Sequence, residues 1–484
     1  MAAEFSGIPS PGLEEPVLLD AVELSWSIRR REISCVEVAE AFLRHIDRFD
    51  PLVNAIVSRA DEEDVLAQAR ERDAALDRGE PVGWMHGFPI AVKDLADAAG
   101  FPTTQGFQRT APATEDATHV RRMKEAGAIV VGKTNVPEFG LGSHTFNEVF
   151  GTTTNPYDQT RTAGGSSGGA AAALAMRMLP VADGSDFMGS LRNPAAFCNV
   201  LGLRPGFGRV PSPGFVADPS VPGPMARTVR DLAMLLSTMA GPDERAPLSL
   251  DRDPAEFTGQ LRNDPAGVRI GWIGDFDGYL PTEPGVLDVC GSAVELFRSL
   301  GCEVEPVPGG LPVARAWETF LLWRHWMVGE KLRELYADPA TRSRMKPEAV
   351  YEAEGHGKLG VPDITAALEG RDAWRAVVSD LFAHYDFLLA PSTQVFPFDA
   401  GTRWPEEVGG RPMDTYHRWM ETAAPWTLSG HPVLNLPAGF NGAGLPTGVQ
   451  LIGRGHAEWE LLRLGHAYEQ ASDWVHAALP PALT

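Results

Sequence analysis

Apolar residues recur along the chain with two periods, and the period predicts which element each segment forms. Val38, Phe42 and Ile46 follow one another at intervals of four residues, as on one face of a helix, and the segment 18–78 is predicted to be helical. From about residue 85 onward, short apolar runs bounded by glycine and proline predict buried strands that alternate with helices. This alternation favours an α/β sheet with helices on its faces.

The predicted elements continue to the end of the sequence. The predicted strands are 87–93, 128–131, 268–273, 302–306, 386–391 and 449–452. The predicted helices beyond residue 100 are 116–126, 170–178, 228–239 and 457–471. The proline-rich segment 211–265 is expected to be mostly loop outside its helix. Because the sequence has neither an internal repeat nor a clean linker, we expect one large domain over residues 1–484.

Composition and charge exclude several classes of function. The 484 residues include 42 Lys and Arg against 64 Asp and Glu, a net charge of −22, which argues against nucleic acid or an anionic membrane as a partner. No apolar run reaches the ~18 residues of a transmembrane helix. The first residues lack the basic and apolar regions of a secretory signal, and the four cysteines are far apart. We therefore expect reduced thiols, a cytoplasmic location, and neither a metal nor a cofactor.

Residues 127–134 match the phosphate-loop pattern G-x-x-x-x-G-K-[ST]. That pattern needs a flexible loop whose amides are free to bind phosphate. Here the middle residues, 128–131, are themselves a predicted strand, whose amides would be engaged in a sheet. Nucleotide binding is a hypothesis that rests on this motif alone.

Residues 164–168 read Gly-Gly-Ser-Ser-Gly, which satisfies G-x-S-x-G, the nucleophile elbow of α/β-hydrolases. The elbow needs a strand that runs directly into the serine, whereas residues 158–163 have the composition of a loop. A flexible turn that caps the alanine-rich helix is the other interpretation of these glycines.

Two further features add chemistry to this turn. Lys93 ends an apolar predicted strand. If its amine is desolvated, the pKa of Lys93 falls and the neutral amine can act as a base toward a serine hydroxyl. The alternative is that Lys93 is a charged residue on the surface. Ser190 follows a turn at Gly189, where backbone N–H groups converge in the manner of an oxyanion site. Asp186 and Arg192 flank that turn and are expected to pair and stiffen it.

These motifs together resemble the amidase signature hydrolases, and the resemblance covers most of the chain. It is carried, in the family's order, by residues 86–94, 132–139, 164–169, 184–194, 223–229 and 432–439. It implies an α/β fold, a single large domain with a central mixed β-sheet covered by helices on both faces. Within it, we expect a helical part at 1–80, the signature core at 81–210, a variable substrate entrance at 211–380 and a part completing the sheet at 381–484.

The family implies a Ser–cis-Ser–Lys triad. Its two serines lie 24 residues apart, which selects Ser166 over Ser167 as the partner of Ser190. Carried over, Ser190 is the nucleophile, Ser166 relays the proton across a cis peptide bond, and Lys93 is the base. The resemblance implies acyl transfer through a Ser190 acyl-enzyme. Residues expected to bind the oxyanion or substrate are Gly140, Phe187, Met188 and Gly189, and those expected to support the site are Ser167, Asp186 and Arg192.

Met188 departs from the family pattern, which has two glycines before the nucleophile. Its side chain either narrows the acyl pocket or faces away from it, and a positive φ at this residue would be strained.

Aromatic residues recur every three positions at Trp317, Phe320, Trp323 and Trp326, with Met327 beside the last. On a helix, this stripe either packs in the core or lines the mouth of a site for a bulky acyl group. Trp419 and Trp426 are further candidates of the same kind.

The sequence therefore predicts a cofactor-independent amide hydrolase for aryl or bulky apolar amides. A carbamate or ester hydrolase would use the same triad, and the A subunit of a tRNA-dependent amidotransferase resembles the same family. The expected partner is a small amide or carbamate, without nucleic acid or membrane, and the expected state is a monomer or homodimer.

Overall fold

A computed structural model of the chain describes residues 7–10, 12–214, 216 and 218–484. Its strands lie throughout the chain and most are short. In chain order they are β1 Ile56–Val57, β2 Pro89–Lys93, β3 Ile129–Thr134, β4 Phe146–Asn147, β5 Gly151–Thr152, β6 Ala182–Asp186, β7 Leu201–Arg204, β8 Val221–Ala226, β9 Arg269–Trp272, β10 Glu303–Pro306, β11 Phe387–Pro391, β12 Glu407–Val408, β13 Arg411–Pro412, β14 Val433–Phe440 and β15 Pro446–Ile452.

Helices separate most of these strands. They are α1 Glu15–Leu18, α2 Ala21–Arg29, α3 Cys35–Val53, α4 Glu62–Asp77, α5 Thr118–Glu125, α6 Gly168–Ala175, α7 Arg192–Phe197, α8 Val229–Met239, α9 Val286–Ser299, α10 Val313–Ala337, α11 Pro339–Arg342, α12 Pro347–His356, α13 Val361–His384, α14 Ala424–Ser429, α15 Glu458–Ser472 and α16 Trp474–Ala477. Single 3₁₀ turns lie at Glu138–Gly140, Pro254–Thr258, Arg418–Ala423 and Pro481–Leu483. No helix in the described ranges is both long enough and apolar enough to cross a bilayer.

The strands of the described residues form one large sheet and three small ones. The large sheet has eight strands in the order β10-β9-β11-β15-β14-β7-β8-β6. β10, β9 and β11 run parallel, and the other pairs are antiparallel, so the sheet is mixed as the resemblance implies. The chain forms a single domain around this sheet.

Helices cover both faces of the large sheet. Alternate residues of each strand point to opposite faces, so the contacts of neighbouring residues show on which face a helix lies. Gln450 of β15 accepts a hydrogen bond from Arg192 of α7 at 2.9 Å, which places α7 on one face. Leu434 of β14 pairs with Leu451, the residue after Gln450, and lies against Gly465 of α15. α15 therefore packs on the opposite face, and the predicted arrangement is confirmed.

Two features of the strands were not predicted from the sequence. β2 and β3 do not join the large sheet but form a separate three-stranded sheet in the order β1-β3-β2. The segment predicted to be mostly loop contains β8, in which Pro222 and Pro224 oppose Ser185 and Asp183 of β6. The two prolines occupy alternate positions, so the N–H groups that they lack would both point toward the same neighbouring strand. The backbone N–H groups that point toward the other neighbouring strand are intact and can form hydrogen bonds.

Three residues of the aromatic stripe belong to the core, and Trp326 and Met327 are half-buried against it. Trp317, Phe320 and Trp323 of α10 are at most 3% exposed and pack in a cluster with Trp419 and Trp426. The spacing of the stripe is that of a helix face, and this face is the one that turns inward. The substrate-mouth interpretation of these residues was therefore wrong.

Candidate active site

Lys93 lies at the carboxyl end of β2, completely buried in the centre of the site. Its Nζ lies 2.9 Å from Ser166 Oγ and 2.7 Å from Ser167 Oγ. It also lies 3.2 Å from the carbonyl oxygen of Ser185 and 3.1 Å from the Ser185 hydroxyl, so four oxygen atoms surround a group with at most three N–H donors. Burial lowers the pKa of Lys93 to about 7, although the charges of Asp183 and Asp186 oppose the shift. The interpretation of Lys93 as a surface charge was wrong.

The glycine-rich segment presents its serines to this lysine. It follows a loop rather than a strand and leads into α6, so it does not have the context of an α/β-hydrolase elbow. The peptide bond between Gly165 and Ser166 is cis, as the family resemblance implies. The N–H of Ser167 donates to the carbonyl oxygen of Ser190 at 3.3 Å, which brings the two serine segments together.

A buried ion pair fixes the turn that carries Ser190. The carboxylate of Asp186 accepts hydrogen bonds from Arg192 Nε at 3.0 Å and Nη2 at 2.9 Å, and both side chains are fully buried. Burial opposes the ionisation of Asp186, but the charges of Arg192 and Arg204 hold the pKa of its carboxyl group well below the usual range. The predicted pairing of Asp186 with Arg192 is confirmed.

The same carboxylate restricts which backbone amides are free. Asp186 accepts from the N–H of Gly189 at 2.8 Å and from the N–H of Leu191 at 3.1 Å. The amide of Gly189, expected to help bind an oxyanion, is thus already engaged. In the described part of the chain, no hydrogen bond occupies the N–H of Met188 or Ser190.

Met188 points away from the site. Its side chain is 2% exposed and packs in the aromatic core cluster. The positive φ of this turn, 84°, falls on Gly189 instead. Of the two possibilities left by the sequence, the structure selects the one in which Met188 faces away.

A cavity of about 590 Å³ opens onto Lys93, Ser166 and Ser190. Gly140 and Phe187 line it, as expected, but neither Met188 nor Gly189 belongs to its described wall. Gly140 has a φ of +71°, and an added Cβ would lie 2.7 Å from Leu95 Cδ1 and 3.4 Å from Ser166 Oγ. A side chain at this position would therefore crowd the serine.

The wall of the cavity combines apolar with polar side chains. Its large apolar side chains are Leu95, Phe139, Leu141, Phe187, Val328, Leu332 and Leu335. Its charged side chains, besides Lys93, include Asp97, Asp116, Asp183, Asp218, Arg245, Arg324 and Lys331. The cavity therefore offers apolar surface together with charged groups around the serines.

Three polar residues of the site, Ser185, Asp183 and His119, were not predicted from the sequence. Ser185 and Asp183 lie on β6, whose sequence is Ala-Asp-Gly-Ser-Asp and whose polar residues are mostly buried. Polar residues at this density in a buried strand are a signal of a site, but only the tertiary structure places His119 beside them.

The residues of the phosphate-loop pattern do not form a free loop. They form β3, and Lys133 is buried, with its ammonium group 2.8 Å from the carbonyl oxygen of Ala96 and 3.5 Å from a carboxylate oxygen of Asp94. These contacts direct Lys133 into the protein. The motif therefore does not form a phosphate-binding loop, and the nucleotide-binding hypothesis, which rested on it, was wrong.

Residues 37–462 match the family model described as Amidase. The chain belongs to the amidase signature family. Its relatives in this family include the A subunit of the glutamyl-tRNA(Gln) amidotransferase of Methylococcus capsulatus, 35% identical over 95% of this chain and 98% of the relative. They also include an acylamidase of Rhodococcus erythropolis, 34% identical over 94% of this chain and 96% of the relative.

Solved amidase signature structures share the fold. A bacterial aryl acylamidase of this family superposes with a TM-score of 0.87 at 31% identity, covering 96% of this chain and 98% of its own. A 6-aminohexanoate cyclic dimer hydrolase superposes with a TM-score of 0.83 at 26% identity, covering 97% of this chain and all of its own.

Proposed function

We propose that this protein is a stand-alone amide hydrolase in which Ser190 is the nucleophile, Ser166 the proton relay and Lys93 the base. One observation carries the proposal. A completely buried lysine, whose pKa is lowered to about 7, contacts Ser166 in a cavity that also exposes Ser190. A neutral amine in this position is available to accept a proton near neutral pH.

The first half of the reaction forms the acyl-enzyme. Lys93 takes the proton of Ser166 as Ser166 takes that of Ser190, and Ser190 Oγ attacks the carbonyl carbon of the amide. The free N–H group of Ser190, a residue of the cavity wall, stabilises the oxyanion that forms. The proton then returns through Ser166 to the amide nitrogen, the C–N bond breaks, and the amine leaves.

Water completes the reaction. It attacks the ester carbonyl of the acyl-enzyme while its proton passes through Ser166 to Lys93. The bond to Ser190 Oγ breaks, Ser190 regains a proton by the same route, and the carboxylic acid leaves. The net reaction converts an amide and water into an acid and an amine, without a cofactor.

The cavity walls support aryl or bulky apolar amides as substrates. Phe187, Val328 and Leu332 line the cavity, and the transfer of a hydrocarbon group from water onto such apolar surface is favourable by roughly 25 cal/mol per Å². The acylamidase relatives are consistent with this choice. Carbamates and esters would pass through the same acyl-enzyme and are alternative substrates.

A second candidate function is that of an amidotransferase A subunit. The observation that favours it is the 35% identity to such subunits along nearly the full length of both chains. A protein of this kind would require partner proteins for activity, whereas a stand-alone amidase acts when purified alone.

The deciding experiment is labelling of the purified chain by a small fluorophosphonate, followed by intact-mass measurement. We expect a single adduct on the wild-type protein and none on Ser190→Ala, with equal circular dichroism spectra. Hydrolysis of aryl amides by the same preparation would distinguish an amidase from a component of an amidotransferase. An adduct that persists on Ser190→Ala would refute the nucleophile assignment, and absence of any adduct on the wild type would favour the amidotransferase function.

A further inference from the structure

A second pair of polar side chains, Asp183 and His119, lies in the wall of the cavity that also contains Lys93. Asp183 of β6 accepts the backbone N–H of Lys93 at 3.0 Å through Oδ1. Its other oxygen, Oδ2, lies 3.2 Å from Nε2 of His119 on α5. Because a carboxylate only accepts hydrogen bonds, Nε2 of His119 is the donor. Asp183 therefore joins the strand end that carries Lys93 to a histidine on a neighbouring helix.

Both members of this pair are buried at the wall of the cavity. His119 is 5% exposed and Asp183 is 2% exposed. A buried carboxylate next to a buried amine acts on it through a medium that screens charge weakly. Its negative charge favours the protonated form of Lys93 and opposes the desolvation that favours the neutral form.

Other charged groups face the pair from the elements around it. They are Lys93 of β2, Lys133 of β3, Asp186 of β6, Asp97 and Asp116 between β2 and α5, and Arg245 after α8. On α5 itself, Arg122 is engaged with backbone carbonyl oxygens at residues 239–242. α6 and β8 carry no charged residue. Within this set, Asp183 is the carboxylate that accepts a hydrogen bond from the backbone N–H of Lys93, and its charge acts on the amine through space.

We propose that Asp183, held in place by His119, is a positioning residue that sets the pH at which Lys93 becomes a base. The inference rests on the proposed function, since it gives Lys93 the role of base. Lys93 must be neutral to accept a proton, so activity rises as the pH passes upward through its pKa. The carboxylate of Asp183 stabilises the ammonium form and moves this rise toward higher pH.

The test is the pH dependence of kcat/KM in Asp183→Asn. Asparagine keeps the size of the side chain and its acceptor for the backbone N–H but removes the charge. We expect the acid limb of the profile to move to lower pH by about one pH unit. An acid limb at the wild-type position in the folded variant would overturn the proposal.

The role of His119 gives a second and independent variant. His119→Leu removes the donor that holds the carboxylate of Asp183 in place, so we expect the acid limb to move in the same direction but less far. His119→Gln restores a donor and is expected to bring the limb back. Asp97→Asn is the matched control, because it removes a carboxylate of the same cavity that does not bond to Lys93. A limb that moves as far in the Asp97 variant as in the Asp183 variant would contradict the proposal.

A direct titration separates this inference from the proposed function. The Lys93 signal is followed by NMR in protein labelled with ¹³C at the lysine ε-carbon and assigned with Lys93→Ala. We expect its midpoint to fall in Asp183→Asn, whether or not Ser190 reacts with a fluorophosphonate. A Ser190 that does not react would refute the proposed function alone, and an unchanged midpoint would refute the role of Asp183 alone.

Discussion

Lys93 Nζ lies closer to Ser167 Oγ, at 2.7 Å, than to Ser166 Oγ, at 2.9 Å. Both distances are ordinary hydrogen-bond lengths, so distance alone does not identify which serine relays the proton. The choice comes from the cavity, which is lined by Ser166 and Ser190, whereas Ser167 is fully buried at the start of α6. Under the proposed function, Ser167 would hold Lys93, and Ser166 would pass protons between Lys93 and the substrate.

These different roles predict different losses of activity when Ser166 and Ser167 are replaced. Ser166→Ala is expected to lower kcat by at least ~10³-fold, because it interrupts the proton path. Ser167→Ala removes one supporting hydrogen bond, and a loss of roughly tenfold is expected. Steady-state kinetics on both variants, with folding checked by thermal unfolding, measure the difference. Equal losses in the two variants would contradict the assignment of Ser166 as the relay.

The lowered pKa of Lys93 predicts a pH dependence for the hydrolysis. Neutral Lys93 is the active form, so kcat/KM is expected to rise with pH and to level off above a pKa of about 7. Below that pH, activity is expected to fall tenfold for each unit as the ammonium form accumulates. Initial rates on one aryl amide between pH 5 and 9 measure the profile. A flat profile across this range would rule out Lys93 as the titrating base.

The orientation of Met188 predicts a stability effect without a change in specificity. Met188→Ala is expected to lower the free energy of unfolding by ~2–5 kcal/mol, because it leaves a cavity in the aromatic core. Relative rates on acyl groups of different size are expected to stay as in the wild type. Leu332→Ala is the comparison variant, since Leu332 lines the cavity and its truncation is expected to admit larger groups. A broader substrate range in Met188→Ala would place this side chain in the pocket after all.

A buried charge network beside the cavity predicts a second stability effect. Glu352 is 0% exposed and accepts hydrogen bonds from Arg324 Nε at 2.7 Å and from the Tyr416 hydroxyl at 2.6 Å. Glu352→Gln leaves the Arg324 charge uncompensated and is expected to lower the free energy of unfolding by ~3–5 kcal/mol. Denaturant unfolding measures this loss. Glu330→Gln, which removes the partner of an exposed arginine 3.4 Å away, is the control and is expected to cost below ~1 kcal/mol.

The same network predicts how the stability difference depends on pH. Burial disfavours the ionised form of Glu352, but the charge of Arg324 lowers its pKa to about 2. A carboxyl group whose pKa is lowered in the folded state contributes stability above its unfolded pKa and loses it as the pH falls. The stability difference between wild type and Glu352→Gln is therefore expected to shrink between about pH 5 and pH 2. A difference that stays constant over this range would show that the charge of Glu352 does not contribute.

Local patterns predicted much of this molecule. The helical face of Val38, Phe42 and Ile46, the apolar run of the strand that ends at Lys93 and the pairing of Asp186 with Arg192 can all be recognised from residues close together in the sequence. Their partners or neighbours along the chain determine their conformation, so pattern and spacing were sufficient.

Several features of the structure that depend on contacts between distant residues were not predicted. The prolines of β8 read as a loop because their pairing with β6 depends on residues about forty positions earlier. Likewise, the spacing of Trp317, Phe320 and Trp323 defines a helix face but does not say what it packs against. The orientation of Met188 and the meeting of His119 with Asp183 also arise only when separate elements pack together.

The anchoring of Arg192 couples the nucleophile turn to the far end of the chain. Of its five hydrogen bonds, two go to Asp186 and three to Ala423, Thr427 and Gln450. A fragment ending before residue 420 would contain Lys93, Ser166 and Ser190 yet lose three of the contacts that orient Arg192. The C-terminal segment therefore helps to orient the Ser190 turn, and a truncated or incompletely synthesised chain would carry all three residues of the proposed triad on a turn without this support.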